Sequence, residues 1–261
     1  MQSIRSAASA AVRQVARFTA LSTALFAGLA AVLPAHGANL QISPVSISFQ
    51  PGQNAAGIQL QNNGDTPLYG QVRVYAWDQR DGADALTPTT QLVASPPVIE
   101  IAPNSTQTIR LVRRPTAPGT PGAPAGAAEQ TYRILIDELP RGDSQQGNVA
   151  IRLQYSVPAF VLPADAQAAP RLEWTTFQRD GNWHLRARNA GNLHAQIGAT
   201  SVRLGERQVD LSKGLLGYAL PGRSREWQLP ADVAAGMPAP LAIQAMVNTR
   251  PQSASAAVAQ D

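Results

Sequence analysis

The sequence contains no cysteine, and this absence limits both its chemistry and its means of stabilisation. Thiolate catalysis, cysteine metal sites and disulfide bridges are excluded. Among the histidines, only His184 and His194 follow residue 37, and neither the spacing of a zinc site nor a Gly-x-Ser-x-Gly nucleophile motif accompanies them. We therefore expect structural roles for both histidines, no metal, no cofactor and no enzymatic activity.

The chain is also poor in lysine, with Lys213 as its only one. The formal net charge of +4 looks basic. However, three arginines lie in the first 17 residues, and without them 18 basic side chains face 17 acidic ones. No basic run is longer than Arg113-Arg114. A protein that follows a phosphate backbone needs a denser positive patch, so nucleic acid is not expected as a partner.

The N-terminus has the order of features found in a secretory signal peptide. Arg5, Arg13 and Arg17 precede an apolar run from Phe18 to Leu33, and small residues flank position 36. The run has about 16 residues, short of the roughly 20 that span a membrane. We predict cleavage after residue 37 and export to the periplasm, without stable membrane insertion; an uncleaved anchor is the alternative.

Helix-like periodicity is weak in the exported part, whereas short alternating segments are frequent. Proline and glycine together number 41 and are scattered throughout. Between them, segments such as 57–61, 72–77 and 106–112 alternate apolar and polar residues, as strands do. Strands recurring about every ten residues indicate an all-β protein. We predict two immunoglobulin-like β-sandwich domains in tandem.

Composition divides the exported chain into two parts. The first domain is expected at 38–163, with a proline- and glycine-rich mobile loop at 115–130. A second break falls at 163–170, and the second domain is expected at 170–250. The small-residue tail 251–261 is expected to be disordered.

The segment 149–162 carries the most information about function. On a strand, its large apolar residues share one face and its polar residues share the other. The apolar face comprises Val149, Ile151, Leu153, Tyr155 and Val157. Such a strand at a sheet edge presents a hydrophobic ladder to a partner chain. An ordinary half-buried strand shows the same alternation, so a partner-binding role needs further support.

That support comes from a series of motifs in a defined order. Leu92 to Val98 contains a proline pair, and Ile101-Ala102-Pro103 and Gln107 to Leu111 follow. Next comes Tyr132 to Pro140, a tyrosine, an apolar strand, an acidic pair and Leu-Pro. In their order and spacing, these motifs resemble those of the periplasmic pilus-assembly chaperones, over about residues 39–248.

The resemblance implies that the chain lends a donor strand, residues 149–162, to pilus subunits whose sandwich lacks its last strand. Val149, Ile151, Leu153 and Tyr155 are then the subunit-binding residues. One subunit is expected per chaperone, with later delivery to an outer-membrane usher. When no subunit is bound, an exposed apolar ladder also predicts self-dimerisation.

The sequence departs from that family at two positions. Its well-known members hold the carboxylate of the subunit's C-terminus with an arginine in the first strand and a lysine in the donor strand. The matching positions here are Ser46 and Pro158, which cannot form ion pairs. Arg110 and Arg133 are candidate replacements, because a guanidinium can bind a carboxylate through two hydrogen bonds.

A secreted immunoglobulin-like adhesin or a structural pilus component is the alternative function. Arg141-Gly142-Asp143 matches a cell-binding tripeptide, although three residues recur often by chance. Asp137 and Glu138 are adjacent and point to opposite faces of a strand, so they are no glycosidase pair. We expect one of them to pair with an arginine at the domain interface.

Overall fold

A computed structural model of the protein describes residues 40–114, 128–140, 152–237 and 240–259. Residues 40–261 cluster into one compact unit. Within the described ranges the regular secondary structure is strand, apart from a single short helix. None of the helices found there is long and apolar enough to cross a membrane.

The first half of the described chain forms ten strands. They are β1 (Leu40–Ser43), β2 (Ile47–Phe49), β3 (Ala55–Asn62), β4 (Leu68–Arg80), β5 (Ala83–Pro88), β6 (Leu92–Ser95), β7 (Val98–Ile101), β8 (Ser105–Arg113), β9 (Gln130–Glu138) and β10 (Gln154–Val161). One sheet has the order β1-β3-β8-β6, and the other has the order β2-β10-β9-β4-β5, with β7 also paired to β4.

These two sheets enclose one core. Alternation along β9 shows how they do so, because Tyr132, Ile134 and Ile136 point into the core while Arg133 and Asp137 point away from it. Side chains from the four-stranded sheet fill the opposite wall, among them Ile58, Leu60, Ile109 and Leu111. The alternation of apolar and polar residues in the sequence thus corresponds to the inner and outer faces of this sheet.

The second half forms eight strands and the helix. They are β11 (Leu172–Arg179), β12 (Asn182–Asn189), β13 (Ala195–Leu204), β14 (Arg207–Ser212), β15 (Gly217–Ala219), β16 (Ser224–Gln228), α1 (Ala231–Ala234), β17 (Leu241–Val247) and β18 (Arg250–Val258). The order is β14-β13-β17-β18-β11-β12-β16, with β15 paired to β13. Strands from both ends of this order contribute side chains to a second core. The prediction of two tandem all-β sandwiches is therefore confirmed.

The C-terminal tail corrects one prediction. Residues 251–261 were expected to be disordered, but β18 pairs with β17 along its length and with β11 near its end. Ala256 is fully buried in the second core, and Ala254 packs against it. Alanine and serine contribute little hydrophobicity, so composition alone concealed a strand that its neighbours hold through main-chain hydrogen bonds.

Other predicted boundaries are only partly covered. The leader 1–37 and residues 115–127 of the predicted loop lie outside the described residues. The loop ends earlier than expected, since Gln130 already begins β9 and Glu129 is buried. No strand occurs between Val161 and Leu172, where the break was predicted.

Candidate partner-binding edge of the first sandwich

Strand β10 has one edge that is only partly paired. Along its whole length it pairs antiparallel with β9, from Gln154 opposite Asp137 to Val161 opposite Gln130. On its other edge it pairs in parallel with β2, and there only through residues 159–161. Among the described residues, no strand therefore covers that edge along residues 154–158. We call this stretch the open edge.

Two hydrogen bonds establish which main-chain groups face the open edge. The amide of Glu138 in β9 donates to the carbonyl of Leu153 at 3.1 Å, whereas the amide of Leu162 donates to Phe49 of β2 at 3.0 Å. In an antiparallel ladder, the amide and the carbonyl of one residue point towards the same edge of the strand, and those of the next residue point towards the opposite edge. Gln154 and Ser156 consequently direct their amides and carbonyls towards the open edge.

The side chains of the predicted ladder are only partly described. Val149 and Ile151 lie outside the described residues, and Leu153 is half-buried. Tyr155 is half-buried against the first core, and its hydroxyl lies 3.4 Å from a Glu138 carboxylate oxygen. Burial, followed by that carboxylate, raises the pKa of Tyr155. Tyr155 thus packs against its own sandwich here, and its contact with a partner stays a prediction.

A polar network lies on the other face of the sheet, beside the open edge. The Arg73 guanidinium donates to Asp137 at 2.7 and 3.0 Å, and the Gln154 side chain donates to the second oxygen of this carboxylate. Burial alone raises the pKa of Asp137, but the hydrogen bonds from Gln154 and Arg73 outweigh it and lower this pKa overall. The predicted acidic residue does pair with an arginine, although inside the first sandwich and not at the domain interface.

The two positions of the missing carboxylate anchor lie close together. Ile47 is opposite Ala159 in the parallel register, so the preceding residues, Ser46 and Pro158, are neighbours at the end of the open edge. Ser46 is exposed and Pro158 is buried. The spacing that suggested these positions therefore corresponds to one place in the fold, and neither side chain carries a charge there.

The two replacement candidates lie elsewhere. Arg110 is exposed on β8, which belongs to the four-stranded sheet. Arg133 lies opposite Pro158 on β9, and its guanidinium carbon is 3.7 Å from the centre of the Trp77 ring. Burial lowers the pKa of Arg133, and no hydrogen-bond acceptor contacts its guanidinium among the described residues.

The far end of β10 contacts the second half of the chain through an aromatic cluster, which we call the junction. Its members are Trp77, Arg133, Phe160, His194 and Tyr218. The Phe160 and His194 rings are stacked, and both oxygens of the Glu129 carboxylate lie 2.9 Å from His194 Nδ1. His194 thus has the structural role expected for it, as a contact between the two halves.

Sequence reasoning missed a second contact, made by Gln79. This buried side chain donates to the Tyr218 carbonyl at 2.8 Å and accepts from the Leu220 amide at 3.0 Å, so it pairs with the second half as a strand would. Nearby, Arg223 donates to Asp78 at 2.6 Å. A glutamine at an alternating position of a strand gives no signal that distinguishes it from an exposed one.

The described residues contain no group of three or more histidine, aspartate or glutamate side chains placed to hold a metal ion. An open trough of about 590 Å³ lies on the second half. It is lined mostly by small and polar side chains of β13, β14, β17 and β18. The geometry therefore favours the main-chain edge of β10 as the candidate site.

Comparison with known proteins gives a match to one family. Residues 39–167 match the family described as pili and flagellar-assembly chaperone, PapD N-terminal domain. No curated protein sequence matches the chain.

Three solved structures illustrate the similarity of fold. The first is the CsuC-CsuE chaperone-tip adhesion subunit pre-assembly complex of Acinetobacter baumannii, with 22% identity, a TM-score of 0.67 and coverage of 85% of this chain and 100% of that one. The E. coli chaperone DraB has 20% identity, a TM-score of 0.56 and coverage of 84% and 96%. The Salmonella enterica SafA pilin–SafB chaperone complex has 16% identity, a TM-score of 0.58 and coverage of 84% of this chain and 97% of that one. At these identities, the likeness establishes the fold.

Proposed function

Because the chain belongs to the family of pili and flagellar-assembly chaperones, we propose that it binds pilus subunits by strand addition along the open edge of β10. It then delivers them to an outer-membrane usher. The predicted leader exports it, so the exchange takes place in the periplasm. This family consists of chaperones and not of enzymes, which agrees with the expectation that the chain has no catalytic activity.

The observation that carries the proposal is the unpaired main chain of Gln154 and Ser156. A strand edge that no neighbour covers presents a row of unpaired amides and carbonyls, so it is a template for another strand. A subunit strand along this edge gains main-chain hydrogen bonds, and alternate side chains of the donor supply apolar contacts. Each apolar side chain that becomes buried contributes about 1.5–3 kcal/mol.

Four side chains are proposed to enter the subunit: Val149, Ile151, Leu153 and Tyr155. Leu153 is the described residue best suited to this, because it directly precedes β10 and is only half-buried. Tyr155 adds a further apolar contact, with its ring packed against both its own core and the subunit. Three or four such contacts, at about 1.5–3 kcal/mol each, are sufficient to hold an incomplete subunit tightly.

Strand donation is tested with the exported chain, tagged at its C-terminus, expressed in the periplasm and analysed by native mass spectrometry after pull-down. We expect a one-to-one complex with a small pilin-like protein. The double variant Ile151→Asp and Leu153→Asp should lose it, because the charges would enter an apolar groove.

The matched control changes the other face of the same segment. Arg152→Asp adds the same residue type at an exposed position and should retain the subunit. If the double variant also keeps the subunit, residues 149–155 are not the donor. A polymer of this chain, or a complex with host cell-surface protein and no pilin, would instead favour the adhesin or structural function. The same spectra reveal whether the unloaded chain self-dimerises.

Arg133 is the proposed carboxylate anchor, in preference to Arg110. Its guanidinium lies on the strand next to β10, and its N–H groups lack acceptors among the described residues. Arg133→Met keeps an apolar side chain on Trp77 and should weaken subunit binding about tenfold, whereas Arg110→Met, in the other sheet, should leave it unchanged. Equal binding by both variants would exclude Arg133 as the anchor.

A further inference from the structure

Gln154, the first residue of β10, makes no main-chain hydrogen bond to the residue opposite it. It lies opposite Asp137 of β9, but its own amide and carbonyl point towards the open edge. The main-chain bond at this point of the ladder joins Glu138 to Leu153 instead. Gln154 and Asp137 thus form a pair without main-chain bonds, the kind in which opposite side chains lie closest together.

A side-chain hydrogen bond takes the place of the missing main-chain bonds. The side-chain amide of Gln154 donates to one oxygen of the Asp137 carboxylate. The other residue that faces the open edge, Ser156, lies opposite Leu135. Because a leucine side chain has no polar atom, it cannot make such a bond across the pair. Of the two pairs, only that of Gln154 is therefore joined through its side chains.

The Asp137 carboxylate is itself held in one orientation. Arg73 donates to its other oxygen through Nε at 3.0 Å and through Nη2 at 2.7 Å. A third nitrogen of the same guanidinium donates to the Tyr75 hydroxyl at 3.0 Å. Arg73 and Tyr75 belong to β4, which lies inside the sheet between β9 and β5. The network therefore extends from an interior strand to the first residue of the open edge.

Glu138 contacts the same end of β10 from the opposite face, because adjacent residues of a strand point to opposite faces. One of its carboxylate oxygens lies 3.5 Å from the main-chain nitrogen of Leu153, and the other lies 3.4 Å from the Tyr155 hydroxyl. These distances are longer than those from Arg73 to Asp137. Asp137 is accordingly the acidic residue that holds this end of the strand more firmly.

We propose that Asp137, oriented by Arg73, is a positioning residue for strand addition. By holding the Gln154 side chain, it keeps the amide and carbonyl of Gln154 directed towards the partner strand. A strand end that is already ordered loses less conformational entropy when the partner binds. The inference rests on the proposed function and adds to it a residue that strengthens binding without contacting the partner.

The test measures binding of a synthetic probe to the exported chain and its variants by fluorescence anisotropy. The probe is an eight-residue peptide of alternating valine and threonine, blocked at both ends so that no terminal charge contributes. NMR shifts of the Gln154 and Ser156 amides establish where the peptide binds. NMR relaxation of the same amides in the free chain measures how rigid each one is, and urea denaturation confirms that each variant is folded.

Asp137→Ala and Gln154→Ala should each weaken binding about fivefold, a modest effect because the Arg73–Asp137 pair is partly exposed. The double variant should also lose about fivefold and not the roughly 25-fold expected of independent effects, since Asp137 acts through Gln154. The order parameter of the Gln154 amide should fall below the rigid-backbone value of about 0.85 in Asp137→Ala. A residue with a merely structural role would not produce this dependence on Gln154.

Two variants serve as controls. Asp137→Asn removes the charge but keeps an oxygen that can accept from Gln154, so it should bind the peptide within about twofold of the unaltered chain. Glu173→Ala breaks a carboxylate–arginine pair of the same 2.7 Å length in the second sandwich and should leave binding unchanged.

The outcomes separate this inference from the proposed function. If the peptide shifts the Gln154 and Ser156 amides but Asp137→Ala binds it normally, or the double variant loses about 25-fold, the positioning role is wrong and strand addition stands. If Asp137→Ala does not fold, normal binding by Gln154→Ala is sufficient to exclude the role. If the unaltered chain shows no shift at either amide, the open edge does not accept a strand, and the proposed function fails with it.

Discussion

The rings of Phe160 and His194 stack in parallel, with their centroids 3.6 Å apart and their planes inclined by 7°. Phe160 belongs to β10, the strand with the open edge, and His194 belongs to the second half of the chain. The Glu129 carboxylate accepts a hydrogen bond from the main-chain amide of His194 at 2.7 Å and also contacts its ring. The strand proposed to hold a partner is thus joined to the second sandwich.

Removing the imidazole should destabilise this contact. The Glu129 side chain is fully enclosed, so His194→Ala leaves a buried carboxylate without its ring partner. The expected loss is about 3 kcal/mol in the free energy of unfolding, measured by urea denaturation. His184→Ala removes a ring that stacks on Phe177 and pairs with no carboxylate among the described residues, and it should cost about 1 kcal/mol. Similar losses in both variants would mean that the buried Glu129 carboxylate does not need the His194 ring as a partner.

Gln79 should be as important to the junction as the aromatic rings. Gln79→Leu keeps the size of the side chain but leaves the Tyr218 carbonyl and the Leu220 amide unpaired in a buried position. Each unpaired group costs about 1–3 kcal/mol, so urea denaturation should show a loss of about 2 kcal/mol or more. The control Gln71→Leu alters an exposed glutamine of the same strand and should stay within about 0.5 kcal/mol. A neutral Gln79→Leu would show that the junction does not need this amide.

Gly82, at the tip of the β4–β5 hairpin, should reject a side chain for two reasons. Its φ is +73°, and a Cβ there would lie 2.5 Å from the Glu226 side chain. Its carbonyl also accepts a hydrogen bond from the Glu226 amide at 3.1 Å. The control Gly52→Ala has a φ of +81° and open space, so it isolates the backbone strain of about 1–2 kcal/mol.

Gly82→Ala should therefore unfold at lower urea concentration than Gly52→Ala. Adding Glu226→Ala removes the atoms with which the new Cβ collides. That double variant should recover part of the difference, measured against Glu226→Ala alone. If the two glycine variants are equally stable, a Cβ at residue 82 does not collide with the Glu226 side chain.

Acid should loosen the contact between Asp78 and Arg223. Burial alone raises the pKa of Asp78, but hydrogen bonds from Arg223 and from the Gln79 amide, together with nearby positive charge, lower it overall. A carboxyl group with a lowered pKa stabilises the folded state above its unfolded pKa, and this contribution is lost as the pH falls through the folded value. The loss should therefore begin near pH 4 and continue below it.

The measurement is the urea midpoint between pH 7 and pH 3. Asp78→Asn lacks the titrating group, so its midpoint should fall less steeply below pH 4 than that of the unaltered chain. Asp65→Asn, at an exposed position in a turn, serves as the control and should follow the unaltered chain. Parallel curves for Asp78→Asn and the unaltered chain would assign the acid sensitivity to other carboxylates.

Much of the fold was predictable because strand alternation is a local property. The segment 106–112 alternates in sequence, and β8 alternates in burial in the same way. The prediction failed at 251–261, where alanine and serine carry too little hydrophobicity to mark a strand. It also missed Gln79 and Glu129, since the burial of a polar side chain depends on which distant groups reach it.

The sequence by itself determined the all-β class, the two sandwiches and the apolar face of 149–162, because each follows from a repeat of two residues and the turns between the strands. Only the tertiary structure decided that β2 begins at Ile47 and that Gln154 and Ser156 face an open edge. These features depend on register between strands that are more than a hundred residues apart, and side-chain periodicity alone does not specify which residues lie opposite each other.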